Sequence, residues 1–181
     1  MVDILIRREV DAARLAAIAP NAAAAEDEGF EGNRSYQDLR DLPWTFVAEA
    51  LDRERTLIAR LCSASDIDAE ADRLEEERIE EFDDPLWGLD VGVAGSTLAL
   101  SALGCLPFYS CNGGVLGGSH ATAHPLVAFY LPPNLVGSLL ILAEAADAGM
   151  VLDEYGRARL YAGDVGPMLA FAEAAITSQR A

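Results

Sequence analysis

Lysine is absent from this 181-residue chain, whose 13 basic side chains are all arginine and stand against 30 aspartates and glutamates. The formal net charge of −17 would repel a phosphate backbone, which excludes direct binding to nucleic acid. The missing lysine also removes the usual charge partner of a phosphate loop, and neither common glycine-rich nucleotide fingerprint occurs. The sequence therefore predicts an acidic protein with no nucleic-acid partner.

Cysteine is scarce, with Cys62, Cys105 and Cys111 as its only occurrences. An odd count without regular spacing does not form a disulfide framework, so we expect reduced thiols. The first charged residues, from Asp3 to Arg8, surround or follow a very short apolar run, which is the reverse of the order in a secretory signal. These features predict a cytoplasmic location without an export signal.

Long hydrophobic runs are also few. The longest candidate, residues 89–106, contains Asp90 and several glycine and hydroxyl residues, and no basic residue flanks it. A membrane span would need a more continuous apolar stretch with charged anchors, so a buried core helix and no membrane contact are expected. Because 51% of all residues are apolar, a chain of this length can bury a sizeable core without disulfides or a metal.

Apolar periodicity and turn residues predict helices first and a sheet later. The predicted helices cover residues 8–18, 43–62, about 66–84, 89–103, 134–149 and a last segment capped by Asp164. Residues 21–36 have no period and predict an exposed connection. The predicted strands are 105–111, 126–131, 150–154 and 158–162, with a hairpin turn at residues 155–157.

This order predicts an α+β fold, in which N-terminal helices precede a small, mainly antiparallel four-stranded sheet packed against helices. Residues 1–85 form a helical, acidic N-terminal region packed on the core, and residues 86–181 form the α+β core. The two regions are expected to make one compact domain overall.

Residues 105–124 collect the rarest side chains of the protein. Cys105, Cys111, His120 and His124 form a C-x5-C-x8-H-x3-H pattern, and thiolates with imidazoles are the ligand set of tetrahedral zinc. A spacing of four places both histidines on one face of a helix or strand. The five-residue gap between the cysteines is longer than the usual zinc knuckle, so zinc is one hypothesis among several.

The same segment also fits a thiol nucleophile. Cys111 would end a strand beside glycine-rich backbone, with His120 or His124 as the general base. A third interpretation is purely structural, in which both cysteines are small buried residues and the glycines shape a tight connection. Sequence alone leaves these three interpretations open.

The second unusual feature is the acidic segment, residues 66–84, which holds eleven carboxylates and two arginines. Like charges one helical turn apart are mildly destabilising, so a density this high indicates either a solvated face or a docking surface. We predict that Glu75, Glu76 and Glu80 are its partner-binding residues.

These observations give two functional hypotheses. The first is a non-catalytic binding or regulatory protein, of the immunity or inhibitor kind, whose acidic segment binds a basic protein partner. The alternative is a small enzyme or metal-binding protein centred on Cys111, His120 and His124, dependent on its thiol or on a metal such as zinc.

Overall fold

The computed structural model describes residues 4–17, 36–40, 42–80, 84–118 and 120–179. Within them, helices pack on a five-stranded mixed sheet, which confirms the predicted α+β class. The helices are α1 (Trp44–Ser63), α2 (Ile67–Glu80), α3 (Ala94–Ala102), α4 (Val136–Ala145) and α5 (Val165–Ser178). The strands are β1 (Arg8–Glu9), β2 (Leu106–Cys111), β3 (Leu126–Tyr130), β4 (Gly149–Leu152) and β5 (Ala158–Tyr161).

The strands follow the order β1-β4-β5-β3-β2 across the sheet. All four predicted strands are present, and their neighbours pair antiparallel, with Cys111 opposite Leu126 at the end of β2. The fifth strand, β1, pairs parallel with β4 at one edge. The sheet is therefore mixed, with five strands where the sequence predicted four.

The helix predicted over residues 8–18 is wrong for the described residues up to 17. The chain instead forms β1 and a single 3-10 turn, Ala12–Arg14, which Asp11 caps through a hydrogen bond from the Ala13 N–H. The Arg8 guanidinium donates to the carbonyl of Ala148 at 2.8 Å. These distant contacts outweigh the weak helical preference of a short segment.

The core helix α3 begins at Ala94, five residues later than the sequence predicted, because residues 89–93 form turns. The helix ends at Ala102, close to the C-terminus that Gly104 predicts. Gly104 has a positive φ of 97°, and the Cys105 N–H donates back to the carbonyl of Leu100. Nearly every side chain of α3 is buried, since the helix packs against α1, α5 and β2.

Helix α1 begins and ends within one residue of its predicted bounds, whereas α4 ends at Ala145, four residues before the predicted end, because Gly149 already belongs to β4. A 3-10 turn, Pro133–Leu135, precedes α4, and Asp164 caps α5 by accepting from the Gly166 N–H at 2.8 Å. Most of the predicted 21–36 connection, and residues 81–83 after α2, lie outside the described residues. No helix among the described ranges is long and apolar enough to cross a bilayer.

Candidate functional site

The site lies where β2 ends. Cys111 is the last residue of this strand, and a glycine-rich loop connects it to β3. Gly113 takes a positive φ of 71°, and a β-carbon there would come within 2.5 Å of backbone atoms of His124. Only glycine permits this close approach. The Gly118 N–H donates to Asp68 at 2.9 Å and ties the loop to the start of α2.

This loop folds back and brings two of the predicted site residues together. The Sγ atom of Cys111 lies 3.5 Å from Nδ1 of His120. On the other side of the ring, Nε2 of His120 lies 3.1 Å from the carbonyl oxygen of Gly117. A carbonyl only accepts hydrogen bonds, so Nε2 must carry the proton. In the neutral ring, the lone pair of Nδ1 then faces the sulfur of Cys111.

A third member of the cluster was missed from the sequence. Asp90 lies on the turn before α3, and its Oδ2 is 3.4 Å from Nδ1 of His120. One ligand atom from each of Asp90, Cys111 and His120 falls within 4.8 Å of the others. Nothing in the local sequence distinguishes this aspartate from 29 other acids, because only the fold brings it to the end of β2.

Asn112 fixes the position of the turn that carries Asp90 relative to the glycine-rich loop. Its side-chain amide donates to the carbonyl of Val91 at 3.0 Å, and its backbone N–H donates to Oδ2 of Asp90 at 3.3 Å. Its side-chain oxygen accepts from the Gly114 N–H at 2.9 Å. The residue after Cys111 thus links the turn that carries Asp90 to the loop that leads to His120.

The surroundings of Cys111 favour the thiolate. Burial raises the pKa of this thiol, but polar contacts, led by hydrogen bonds from Thr122 and from the Gly113 N–H, outweigh that effect, and the net pKa lies below its ordinary value. Burial also raises the pKa of the neighbouring Tyr109 to about 12, and its contact with Cys111 adds to the shift. Tyr109 therefore remains a neutral hydrogen-bonding phenol at physiological pH.

Cys105 and His124 do not join this cluster. Cys105 is fully buried at the start of β2, where burial raises the pKa of its thiol. A strand advances about 3.3 Å per residue, so six residues place the two cysteines roughly 20 Å apart along β2. The ring of His124 packs edge-on against Tyr161, with ring centres 5.8 Å apart. Of the four predicted ligands, the structure thus brings together Cys111 and His120, and it places Asp90 beside them.

The cluster opens into a cleft of about 1210 Å³. Asp90 and His120 line this cleft, with side chains 37% and 18% exposed, whereas Cys111 lies behind them and is only 3% exposed. The walls come from α1, α2, the 84–91 turn and the glycine-rich loop. A small molecule entering the cleft would meet the carboxylate and the imidazole before the sulfur.

The predicted partner-binding residues Glu75, Glu76 and Glu80 are all exposed on α2. Glu75 lines the cleft, and the other two lie outside its lining. Two other acids of α2, Glu70 and Glu77, are neutralised internally, because Arg60 of α1 binds both of them. Only part of the acidic segment is therefore available to a basic partner.

Glu54 is a second residue that sequence analysis missed. It belongs to α1, is fully buried, and its carboxylate accepts from the backbone N–H groups of Gly92, Ala94 and Gly95 at 2.7–2.9 Å. Burial raises the pKa of this carboxyl against the opposing effect of those three donors. The contact anchors the N-terminus of α3 and, with it, the turn that carries Asp90.

Comparisons with known proteins add no further constraint. No model of a protein family, no curated protein and no solved structure matches the chain. The function is therefore argued from the site itself.

Proposed function

We propose that Asp90, Cys111 and His120 bind a divalent transition metal of the zinc class, and that the metal faces the cleft as a hydrolytic centre. The observation that carries this proposal is the convergence of one sulfur, one nitrogen and one oxygen ligand atom within 4.8 Å. This revises the ligands of the metal hypothesis and favours it over a purely structural role for the segment.

The spacing of the ligand atoms fits tetrahedral coordination. With zinc–ligand bonds of about 2.3 Å to sulfur and about 2.0 Å to nitrogen or oxygen, tetrahedral angles separate sulfur from nitrogen by about 3.6 Å and nitrogen from oxygen by about 3.3 Å. The distances in the cluster are 3.5 Å between Cys111 and His120 and 3.4 Å between His120 and Asp90. Both separations from Nδ1 are therefore close to those of a tetrahedral ion.

The protonation pattern supports a cation at this point. The Nε2 proton of His120 is committed to the carbonyl of Gly117, which orients the ring and leaves the Nδ1 lone pair for a metal. Opposite it stand a carboxylate and a thiol that gives up its proton on metal binding. Backbone N–H groups of Asn112 and Gly113 donate to Asp90 and Cys111, respectively, and stabilise both anionic ligands.

The donor atoms also determine which metal the site prefers and whether its role is catalytic or structural. A thiolate and an imidazole suit zinc or a similar soft ion and disfavour magnesium or calcium, which prefer oxygen. Three protein ligands with one open side are typical of catalytic zinc, whereas structural sites are closed by four. When bound, such an ion acidifies a coordinated water to a pKa of about 7 and supplies hydroxide for hydrolysis.

Metal titration tests the proposal directly. We expect the purified chain to bind about one zinc per molecule in calorimetry and in elemental analysis, and cobalt substitution to show thiolate-to-metal absorption. Asp90→Asn, Cys111→Ser and His120→Gln should each weaken binding by at least tenfold. The matched controls Cys62→Ser and His124→Gln change the same residue types outside the cluster and should bind as the wild type does.

The result that would overturn the metal site is equal zinc affinity in the wild type and in Cys111→Ser. The hydrolytic role has its own test, which is zinc-dependent hydrolysis of an activated ester such as p-nitrophenyl acetate. One zinc per chain without any rate above that of His120→Gln would retain the site and refute the hydrolytic role.

A second candidate is a thiol nucleophile. It is favoured by the orientation of His120, whose Nδ1 faces Cys111 while Nε2 is held by the carbonyl of Gly117, as a positioned general base requires. The burial of Cys111 favours the metal instead. Rapid alkylation of Cys111 by iodoacetamide, faster than that of the exposed Cys62, together with no zinc binding, would select the thiol mechanism.

A further inference from the structure

We infer that the cleft beside Asp90 and His120 takes a basic segment of a polypeptide, whose arginine or lysine side chains bind its carboxylates and Trp87. This inference deepens the proposed function, on which it rests for the statement that the segment is presented to a metal. It also gives the basic protein partner expected from the sequence a definite place on the surface.

The charge of the cleft lining is the first observation that supports a cationic ligand. Among the described residues that line the cleft, five carry carboxylates, and the only basic side chains are Arg78 and the imidazole of His120. The carboxylates are those of Glu49, Asp72, Glu75, Asp84 and Asp90. The lining is therefore strongly negative at neutral pH, which attracts cations and repels anionic substrates.

Arg78 does not offset this charge for a ligand. Its guanidinium donates to Asp84 at 2.8 and 3.1 Å and to the carbonyl of Leu89 at 2.9 Å, and its side chain is 11% exposed. It neutralises Asp84 and fixes the turn, and little of its side chain is exposed to a ligand in the cleft. The other wall carboxylates, Glu49, Asp72 and Glu75, form no ion pair with any residue the structure describes.

Trp87 supplies an aromatic surface on the same cleft. Its side chain is 39% exposed, and its ring meets the edge of Phe46 at a centroid distance of 6.1 Å. The backbone holds Trp87 at a φ of 55°, which is uncommon for a bulky residue. Asp84 maintains this conformation by accepting from the N–H groups of Leu86 and Gly88.

A partly exposed tryptophan beside carboxylates that pair with no described residue is the chemistry that recognises a guanidinium or ammonium group. The cation lies over the ring face and its N–H groups reach the carboxylates. Arginine satisfies both interactions at once, because its planar guanidinium stacks on aromatic rings and forks onto carboxylates. An apolar floor that includes Leu74, Val91 and Leu116 suits the aliphatic stem of such a side chain.

The size of the cleft favours a peptide over a small amine. Pockets for single small molecules measure about 300–1,000 Å³, and this one reaches about 1210 Å³. Its lining includes both Phe46 and Trp87 and the two cluster residues Asp90 and His120. A short stretch of polypeptide can thus place a cationic side chain on Trp87 and a backbone carbonyl near His120.

The test uses a blocked pentapeptide with two arginines, and the same peptide with citrulline in their place, as calorimetric probes of the full chain. Citrulline keeps the shape and removes the charge. We expect the arginine peptide to bind at least tenfold more tightly than the citrulline peptide at low salt. Equal binding of both peptides would overturn the inference.

Variants locate the interaction. The triple substitution Glu49→Gln, Asp72→Asn and Glu75→Gln should weaken binding of the arginine peptide at least tenfold, and Trp87→Leu about fivefold. The matched control, Glu9→Gln with Glu144→Gln and Glu154→Gln, removes the same charge from exposed positions outside the cleft. It should change affinity less than twofold. A control loss as large as that of the cleft triple would show general charge attraction and refute the site.

The proposed function and this inference fail separately. Cys111→Ser should lose zinc yet still bind the arginine peptide, and the cleft triple should still bind one zinc per chain. Thermal unfolding of each variant shows whether the fold is retained, and Trp87→Phe, which keeps a ring face, should restore most of the affinity lost in Trp87→Leu. A Trp87→Phe variant as weak as Trp87→Leu would contradict the aromatic contact.

Discussion

The carboxylate of Glu54 on α1 accepts a hydrogen bond from the backbone N–H of Gly95 in the first turn of α3, at 2.9 Å and away from solvent. Two more N–H groups of the same chain reversal, those of Gly92 and Ala94, share this carboxylate. A β-carbon on Gly95 would come within 2.7 Å of the Glu54 oxygen, so the contact also requires glycine at that position.

Glu54→Leu should therefore destabilise the fold severely. It leaves three buried N–H donors without an acceptor, and each such loss costs about 1–3 kcal/mol. We expect a loss of at least 3 kcal/mol in the free energy of unfolding measured with urea. Asp52→Asn, an exposed change two residues earlier on α1, should cost under about 0.5 kcal/mol. A Glu54→Leu loss below 1 kcal/mol would contradict the anchoring role.

The β4–β5 turn predicts a dependence of stability on pH. Burial raises the pKa of Asp153, but hydrogen bonds from the N–H groups of Tyr155 and Arg157 and the Arg157 guanidinium outweigh this, and the pKa lies below its ordinary value. A depressed pKa means that the stabilising effect is complete above the unfolded pKa of about 4 and is lost as the pH falls through the folded one.

The comparison of wild type with Asp153→Asn isolates this effect. The variant should unfold about 1–2 kcal/mol more easily at pH 7, because it lacks the charge that Arg157 binds. The difference should shrink as the pH falls below 4, where the wild-type carboxyl also becomes neutral. Urea unfolding at pH 7, 5 and 3 measures it, and a difference that grows in acid would show that the sign is wrong.

Two glycines form a matched pair for testing the loop. Gly113→Ala and Gly88→Ala both place a side chain at a φ near 70°, which costs about 1–2 kcal/mol. At Gly88 the added β-carbon has no neighbour within 4 Å, whereas at Gly113 it meets the backbone of His124. Gly113→Ala should lose at least 1 kcal/mol more than Gly88→Ala in urea unfolding. Equal losses would indicate that the backbone at Gly113 is not closely packed against that of His124.

Zinc should stabilise the folded chain through binding. A ligand at 100 times its dissociation constant adds about 2.7 kcal/mol when it binds only the folded state. The melting temperature of the wild type should therefore rise with added zinc and return to its original value with a chelator. Cys111→Ser should show no rise, and Cys62→Ser should behave as the wild type does. A zinc-independent melting temperature in the wild type would contradict the proposed site.

The sequence predicted the elements whose evidence is local. β2 to β5 are short apolar runs bounded by glycine and proline, and α1 carries a continuous apolar stripe, so periodicity identifies them. The strand β1 is only two residues long, and it is a strand only because it pairs with β4, which is distant in the sequence. No local pattern could predict it, and the same holds for the length of α3, whose start depends on Glu54 from another helix.

The candidate site was predictable in part for a similar reason. Cys111 and His120 could be identified because cysteine and histidine are rare in this chain. The fold then brings the sulfur of Cys111 close to the ring of His120. Spacing arguments about His124 assumed a regular element, but residues 120–125 form bends outside any helix or strand. Asp90 could not be found because acids are abundant in this chain, and its position depends on Asn112 and on the turn before α3.

Because β1 pairs with β4, this strand can pair only after much later residues have been synthesised. Arg8 binds Ala148, a carbonyl 140 residues further along the chain, and Tyr161 holds the Leu5 carbonyl and the Arg7 N–H from a still later strand. A ribosome making some 5–20 residues per second completes β1 many seconds before these partners exist. Of the strands that the structure describes, the first to be made therefore has no pairing partner until β4 is complete, and its backbone N–H and C=O groups stay open to other chains for those seconds.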